Sequence, residues 1–332
     1  MLKSLLRISW LVAAAAAPGG AAVALAESIA ELSPSQVIQF GPWTAAEKAP
    51  VISSLGLDPA GRLLVTAGDD HLARLWDARA GQLVRRLVGH RDWVRAVAFN
   101  RSGSRLATAG NDRAISLWNL SGASPARTLA EQVDGICALA FSPDSSLLAA
   151  GGFESRVRVY DAGTGELVYA LETPGGDVRA LAFSPNGKLL AAAGRSDRIR
   201  IWSMAGGRAV YDLAGNRLRV NSLAFSPDAA QLTSAGDERS IRVWSMATGN
   251  PAVTLGPRPG KILSLTYCGP NRVAAGSSDN LVRVWDTQTG KETARLVGHT
   301  GSVSTLAWDA SAGVLISGSF DTTVREIGRA HV

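Results

Sequence analysis

The sequence predicts an all-β fold: a seven-bladed β-propeller of four-stranded antiparallel blades, the last blade closed by an N-terminal strand. Three observations predict it. The aromatics Trp76, Trp118, Tyr160, Trp202, Trp244 and Trp285 recur at spacings of 42, 42, 42, 42 and 41 residues. Between them the same succession of alternating apolar stretches and turns repeats. Finally, the segment Gln36-Val37-Ile38-Gln39-Phe40 has strand character and precedes the first unit, while the seventh unit lacks its fourth strand.

Each unit opens with an apolar alternating stretch, as in VRAVAF (94–99), VRALAF (178–183) and VNSLAF (220–225). A turn follows, SPDS (142–145), SPNG (184–187) or SPDA (226–229), whose Pro-Asp and Asn-Gly pairs suit hairpins. The second stretch reads LLAAGG (147–152) or QLTSAG (231–236), and the third ends on the aromatic, as in VRVYD (157–161) and IRIWS (199–203). A glycine-containing turn and one more strand, such as TGELVYAL (164–171), complete the unit. One unit cannot bury its own apolar face, so several must stack, and closing the ring removes exposed strand edges.

The seventh unit has strands near 303–309, 313–318 and 322–327, with Ile327 at the aromatic's register. Residues 36–40 align with 83–87 of unit one if four residues are inserted before Val51, so they are expected to fill the last blade. The propeller is therefore placed at 34–325, after a linker at 27–33. Residues 1–26 read as a secretory signal. Lys3 and Arg7 precede an apolar run at 8–17, too short to span a bilayer, and Ala24-Leu25-Ala26 fits a small-x-small cleavage site. No second apolar run of spanning length follows, so no membrane span is expected in the mature chain. Residues 326–332 read as a non-native tail. Turned back into codons, 327–332 resembles a sequencing-adapter oligonucleotide, and the natural chain is expected to continue beyond 325.

The Trp-Asp endings (Trp76-Asp77, Trp285-Asp286) and the Gly-His pairs (Gly89-His90, Gly298-His299) resemble the WD-repeat family over about residues 51–325. The resemblance implies the propeller and says little about function. It also implies a structural hydrogen-bonded tetrad at His90, Thr108, Asp112 and Trp118 rather than a catalytic triad. Other units keep part of the set: Asp70 and Asp279 hold the turn position, where Glu154, Ser196 and Glu238 stand elsewhere. Packing is expected to hold those blades.

The 332 residues are 46% hydrophobic, with 29 Arg, 5 Lys and 28 acidic residues for a formal charge of +6, or +4 once the signal is removed. Acidic and basic residues are interleaved, so nucleic acid is not an expected partner and the charge favours acidic partners mildly. His71, His90, His299 and His331 have no zinc spacing, and neither a calcium loop nor a phosphate loop is present. No cofactor is expected. Cys137 and Cys268 fall in units three and six, too far apart on a ring for a bridge, and read as small buried fillers.

What remains is surface. The start of each innermost strand should line the channel mouth, at Ser53, Arg95, Cys137, Arg179, Asn221, Leu263 and Ser304. Flanking loops add Arg91, Asp92, Trp93, Asp177, Arg217, Arg219 and Lys261. Trp and Arg are the residue types that most often anchor interfaces. Trp93, Arg95, Arg179 and Arg219 are therefore the expected contacts for a protein or peptide partner of acidic preference. The reading is a monomeric, non-enzymatic scaffold, periplasmic or secreted. The alternative is a propeller hydrolase or lyase with its site in the channel mouth.

Overall fold

The computed structural model describes residues 29–39, 50–121, 127–129, 132–256 and 259–327. The expected signal at 1–26 and residues 328–332 lie outside them. Two short N-terminal strands, β1 (Ala30–Leu32) and β2 (Gln36–Gln39), precede the ring. Blade one is β3 (Ile52–Leu57), β4 (Leu63–Gly68), β5 (Ala73–Asp77) and β6 (Leu83–Leu87). Blade two is β7 (Val94–Phe99), β8 (Arg105–Gly110), β9 (Ile115–Asn119) and the two-residue β10 (Arg127–Thr128). Blade three is β11 (Ile136–Phe141), β12 (Leu147–Gly152), β13 (Arg156–Asp161) and β14 (Leu167–Glu172). Blade four is β15 (Val178–Phe183), β16 (Leu189–Gly194), β17 (Arg198–Ser203) and β18 (Arg208–Ala214). Blade five is β19 (Val220–Phe225), β20 (Gln231–Gly236), β21 (Ile241–Ser245) and β22 (Pro251–Leu255). Blade six is β23 (Ile262–Tyr267), β24 (Arg272–Ser277), β25 (Val282–Asp286) and β26 (Glu292–Leu296). Blade seven supplies β27 (Val303–Asp309), β28 (Val314–Ser319) and β29 (Thr323–Ile327).

The ring closes as the sequence predicts. β2 pairs antiparallel with β29, Val37 opposite Arg325 and Ile38 opposite Val324, and so becomes the outermost strand of blade seven. Neighbouring innermost strands touch all the way round, including β27 against β3. The core is a set of seams between blades. Seven buried clusters correspond to the seven seams. In the closing seam Ile38 of β2 joins Trp76 and Leu64 of blade one and Val324 and Ile316 of blade seven.

The N-terminal segment departs from expectation. Residues 27–33, read as a linker, contain β1, which adds a fifth strand to blade six by parallel pairing with β26, Leu32 opposite Leu296. Leu32 is 4% exposed and buried with Ala294, Leu296 and Ile327. Burying one such side chain contributes about 1.5–3 kcal/mol towards holding the strand, alongside its pairing with β26. Between the two strands Ser35 donates its backbone N–H (2.7 Å) and its hydroxyl (3.0 Å) to the carbonyl of Glu326. One arm thus spans blades six and seven. At the other end β29 runs to Ile327, within the strand read at 322–327, so Glu326 and Ile327 of the expected non-native tail belong to the ring, and Ile327 is buried in the aromatic's place.

Turns on the lower face are capped locally. Asp58 Oδ1 accepts from the N–H groups of Arg62 and Leu63, and Ser142, Ser184 and Ser226 each accept at Oγ from the residue five positions on. Cys268 is a free, buried thiol in the equivalent turn of blade six, where burial pushes its pKa up to about 12. Among the described residues no helix is long and apolar enough to cross a membrane.

Candidate functional site

Each innermost strand carries a β-bulge at its second residue. The register with the next strand skips Ser53, Arg95, Cys137, Arg179, Asn221, Leu263 and Ser304. A bulge re-aims a side chain out of the ladder. These seven residues line the central channel, a cavity of about 230 Å³, as the sequence reading places them. Tight backbone approach accompanies the bulge. A Cβ at Gly110 would collide with the carbonyl of Trp93 just before β7, so β8 ends on glycine, whereas blades six and seven carry Ser277 and Ser319 at that register.

The seven are not equivalent. Ser53 Oγ donates to the carbonyl of Val94 (2.7 Å), Ser304 Oγ to Ile52 (2.5 Å) and Asn221 Nδ2 to Ile262 (3.0 Å). Those three stitch neighbouring blades together. Arg95, Cys137 and Arg179, on blades two to four, make no such bond to any of the described residues. Arg95 donates from Nε to Asn111 Oδ1 (2.5 Å) and lies 4.6 Å over the Trp93 ring. Arg179 donates from Nε to Asp177 Oδ1 (2.5 Å) and lies 4.9 Å over Phe153. Arg219 pairs with the other oxygen of Asp177 at 2.9 Å. Asp177 adopts a left-handed backbone, φ 61°, which Asp tolerates better than most residues. The structure therefore gathers Trp93, Arg95, Arg179 and Arg219 on one arc of the mouth.

Cys137 is half-buried at the centre of that arc, not the fully buried filler expected. The bulge turns it into the channel instead of the blade core. Burial raises its pKa, against the pull of Arg179 and Arg95, which keeps the thiol protonated. Sequence reasoning missed Phe153. It is 37% exposed and packs over Gly135, where a Cβ would come within 3.0 Å of its ring. Phe320, 45% exposed, holds the equivalent position in blade seven. Two exposed aromatics at the register where Asn111 and Asp237 stand elsewhere were the available signal.

The tetrad residues also come together. Trp118 donates from Nε1 to Thr108 Oγ1 (2.9 Å), Thr108 hydroxyl meets His90 Nε2 (2.7 Å), and His90 Nδ1 meets Asp112 Oδ2 (2.8 Å). Donor counting orders this as indole to hydroxyl to imidazole to carboxylate. Blade seven repeats the inner links through His299, Ser317 and Asp321, with Ile327 in place of the indole. Elsewhere packing is not alone. Arg74–Asp70 (2.5 Å), Arg158–Glu154 (2.7 Å), Arg242–Glu238 (2.8 Å) and Arg283–Asp279 (2.6 Å) join the turn acid to an Arg of the third strand. In blade three Tyr160 replaces Trp and donates its hydroxyl directly to Gln132, which stands where blade two has His90. Each of these groups is tied into the blade by a hydrogen bond or ion pair.

The model of the WD domain, G-beta repeat, family matches seven times, over residues 42–77, 81–119, 123–161, 165–203, 207–245, 249–286 and 290–326. The chain belongs to the WD-repeat family. Each WD repeat after the first begins ahead of a blade, so it supplies the outer strand of one blade and the inner three of the next, while the first holds β3 to β5. This offset is why β2, before the first repeat, is needed to complete blade seven. Among curated relatives, a 54-residue stretch is 50% identical to the periodic tryptophan protein 2 homolog of Neurospora crassa, covering 16% of this chain and 6% of that protein. The Schizosaccharomyces pombe homolog is 46% identical over 54 residues, with the same shares. Nuclear distribution protein PAC1 of Coprinopsis cinerea is 45% identical over 42 residues, 13% of this chain and 10% of that one. The matched WD-repeat stretch thus spans a tenth or less of each relative.

Proposed function

We propose that this WD-repeat protein is a non-enzymatic scaffold that binds an acidic protein or peptide on its channel-mouth face, outside the cytoplasm. The observation that carries the reading is the arc of Trp93, Arg95, Phe153, Arg179 and Arg219, which brings three guanidiniums and two aromatic rings to one mouth. Arg and aromatic side chains deliver most interface energy when a partner desolvates them. The channel wall presents hydroxyls, Arg, a thiol and small apolar groups. A hydrolase or lyase would need an acid and base converging there, and the carboxylates beside the channel are committed, Asp177 to two arginines and Asp237 to Asn221 and Lys261. The export half of the reading rests on Lys3, Arg7, the apolar run and the Ala24-Leu25-Ala26 site.

Two experiments test the two halves. Residues 1–33 fused to a reporter phosphatase that works only after export should give activity and a mature N-terminus at Glu27. A cytoplasmic, inactive fusion would refute export. Affinity enrichment from an envelope fraction should yield partners that disappear when Arg95→Glu and Arg179→Glu are introduced together. An unchanged partner set would refute the face.

A further inference from the structure

The arginines of the arc are paired unequally with its acids, and this deepens the reading above, on which it rests. Arg95 and Arg179 flank Cys137 across one intervening blade, and both act electrostatically on its thiol. Each guanidinium is fixed in the same way, by one Nε bond and one ring beneath it. None of the described residues accepts a hydrogen bond from their terminal nitrogens. The counter-charges differ. Asp177 serves Arg179 and Arg219 together, while Arg95 rests on neutral Asn111. Asp92 and Asp134 are exposed on the flanking loops, where their carboxylates accept from the backbone N–H of Trp93 and Gly135.

Asp177 is an internal precedent: an aspartate carboxylate held between two guanidiniums, Arg179 through Nε on one oxygen and Arg219 through Nη2 on the other. A planar fork matches a carboxylate in shape as well as charge. We infer that the slot over Cys137, between Arg95 and Arg179, takes one Asp or Glu side chain from an extended partner peptide, with Trp93 and Phe153 flanking that peptide. The small thiol leaves depth for the inserted group. Gly135 leaves room for the Phe153 ring, which sets an apolar surface under Arg179.

Display of random 12-residue peptides against the folded chain tests this, with fluorescence polarisation of the selected peptides. One position should be enriched in Asp or Glu. Replacing it by Asn or Gln should weaken binding about ten-fold or more, as for a desolvated charge pair. Arg95→Met should cause a similar loss, and the two changes together should cost no more than either alone. Arg85→Met, on outer strand β6, should change nothing, and thermal melting should show that all variants fold. Selected peptides with no acidic position, sensitive to Trp93→Ala but not to Arg95→Met, would overturn the carboxylate slot and leave the binding face standing. Peptides indifferent to Trp93, Arg95, Arg179 and Arg219 alike, or no enrichment at all, would overturn both.

Discussion

Thr108 is fully buried and serves two partners at once, the Trp118 indole and the His90 ring. Thr108→Val keeps the shape and strands both, so unfolding in urea should show a loss of about 2–3 kcal/mol. Tyr160→Phe removes a single neutral bond and should cost about 1 kcal/mol. Acid reads the same networks. Burial raises the pKa of Asp112 and Asp321, but bonds from His90 and from His299 and Thr323 outweigh it, so both carboxylates titrate below their ordinary value. Their stabilisation is complete above the unfolded carboxylate pKa, about 4, and is lost as pH falls below it towards the folded value. Stability measured from pH 6 downwards should therefore fall off less steeply in Asp112→Asn/Asp321→Asn than in wild type. The blade-two tetrad was legible because all four family positions are filled. The Arg–carboxylate pairs left a signal too, an acid four residues before Arg in units one, three, five and six. The Tyr160–Gln132 pair left none, since its members lie 28 residues apart and Gln132 is not the histidine that the family pattern has at that register.

At the scale of elements, the strands around the ring follow from period-two alternation, and β2 follows from the missing fourth strand of unit seven. β1 was not legible, because Ala30-Glu31-Leu32 is too short to show alternation and its parallel pairing owes most to one leucine. The two strands predict graded effects. Leu32→Ala should lower stability by about 2–3 kcal/mol, the usual cost of a buried leucine. Deleting 34–42 removes Ile38 from the closing seam and bares the edge of β29, so the whole ring should melt earlier and self-associate through that edge. Unchanged melting of the deletion would contradict closure by the arm. The bulges were not visible in the alternating pattern of VRAVAF or VRALAF, yet they decide which residue enters the channel. Family register located those residues, and backbone geometry explains why they point inward.

At the scale of the whole molecule, seven near-identical blades present an unequal rim. Blades five, seven and one spend their bulge side chains on stitching, and blades two to four keep theirs for the mouth. A partner held there by charge should bind more weakly as salt rises from about 50 to 500 mM, where the screening length shrinks several-fold. The account stands most directly on which face the partner covers. Hydrogen–deuterium exchange of the chain alone and bound to its captured partner measures this. The account predicts added protection at 91–97, 133–139, 175–181 and 217–223, the segments that enter the innermost strands of blades two to five. Protection confined to the lower turns around Asp58, Ser142, Ser184 and Ser226, with the mouth unchanged, would contradict it.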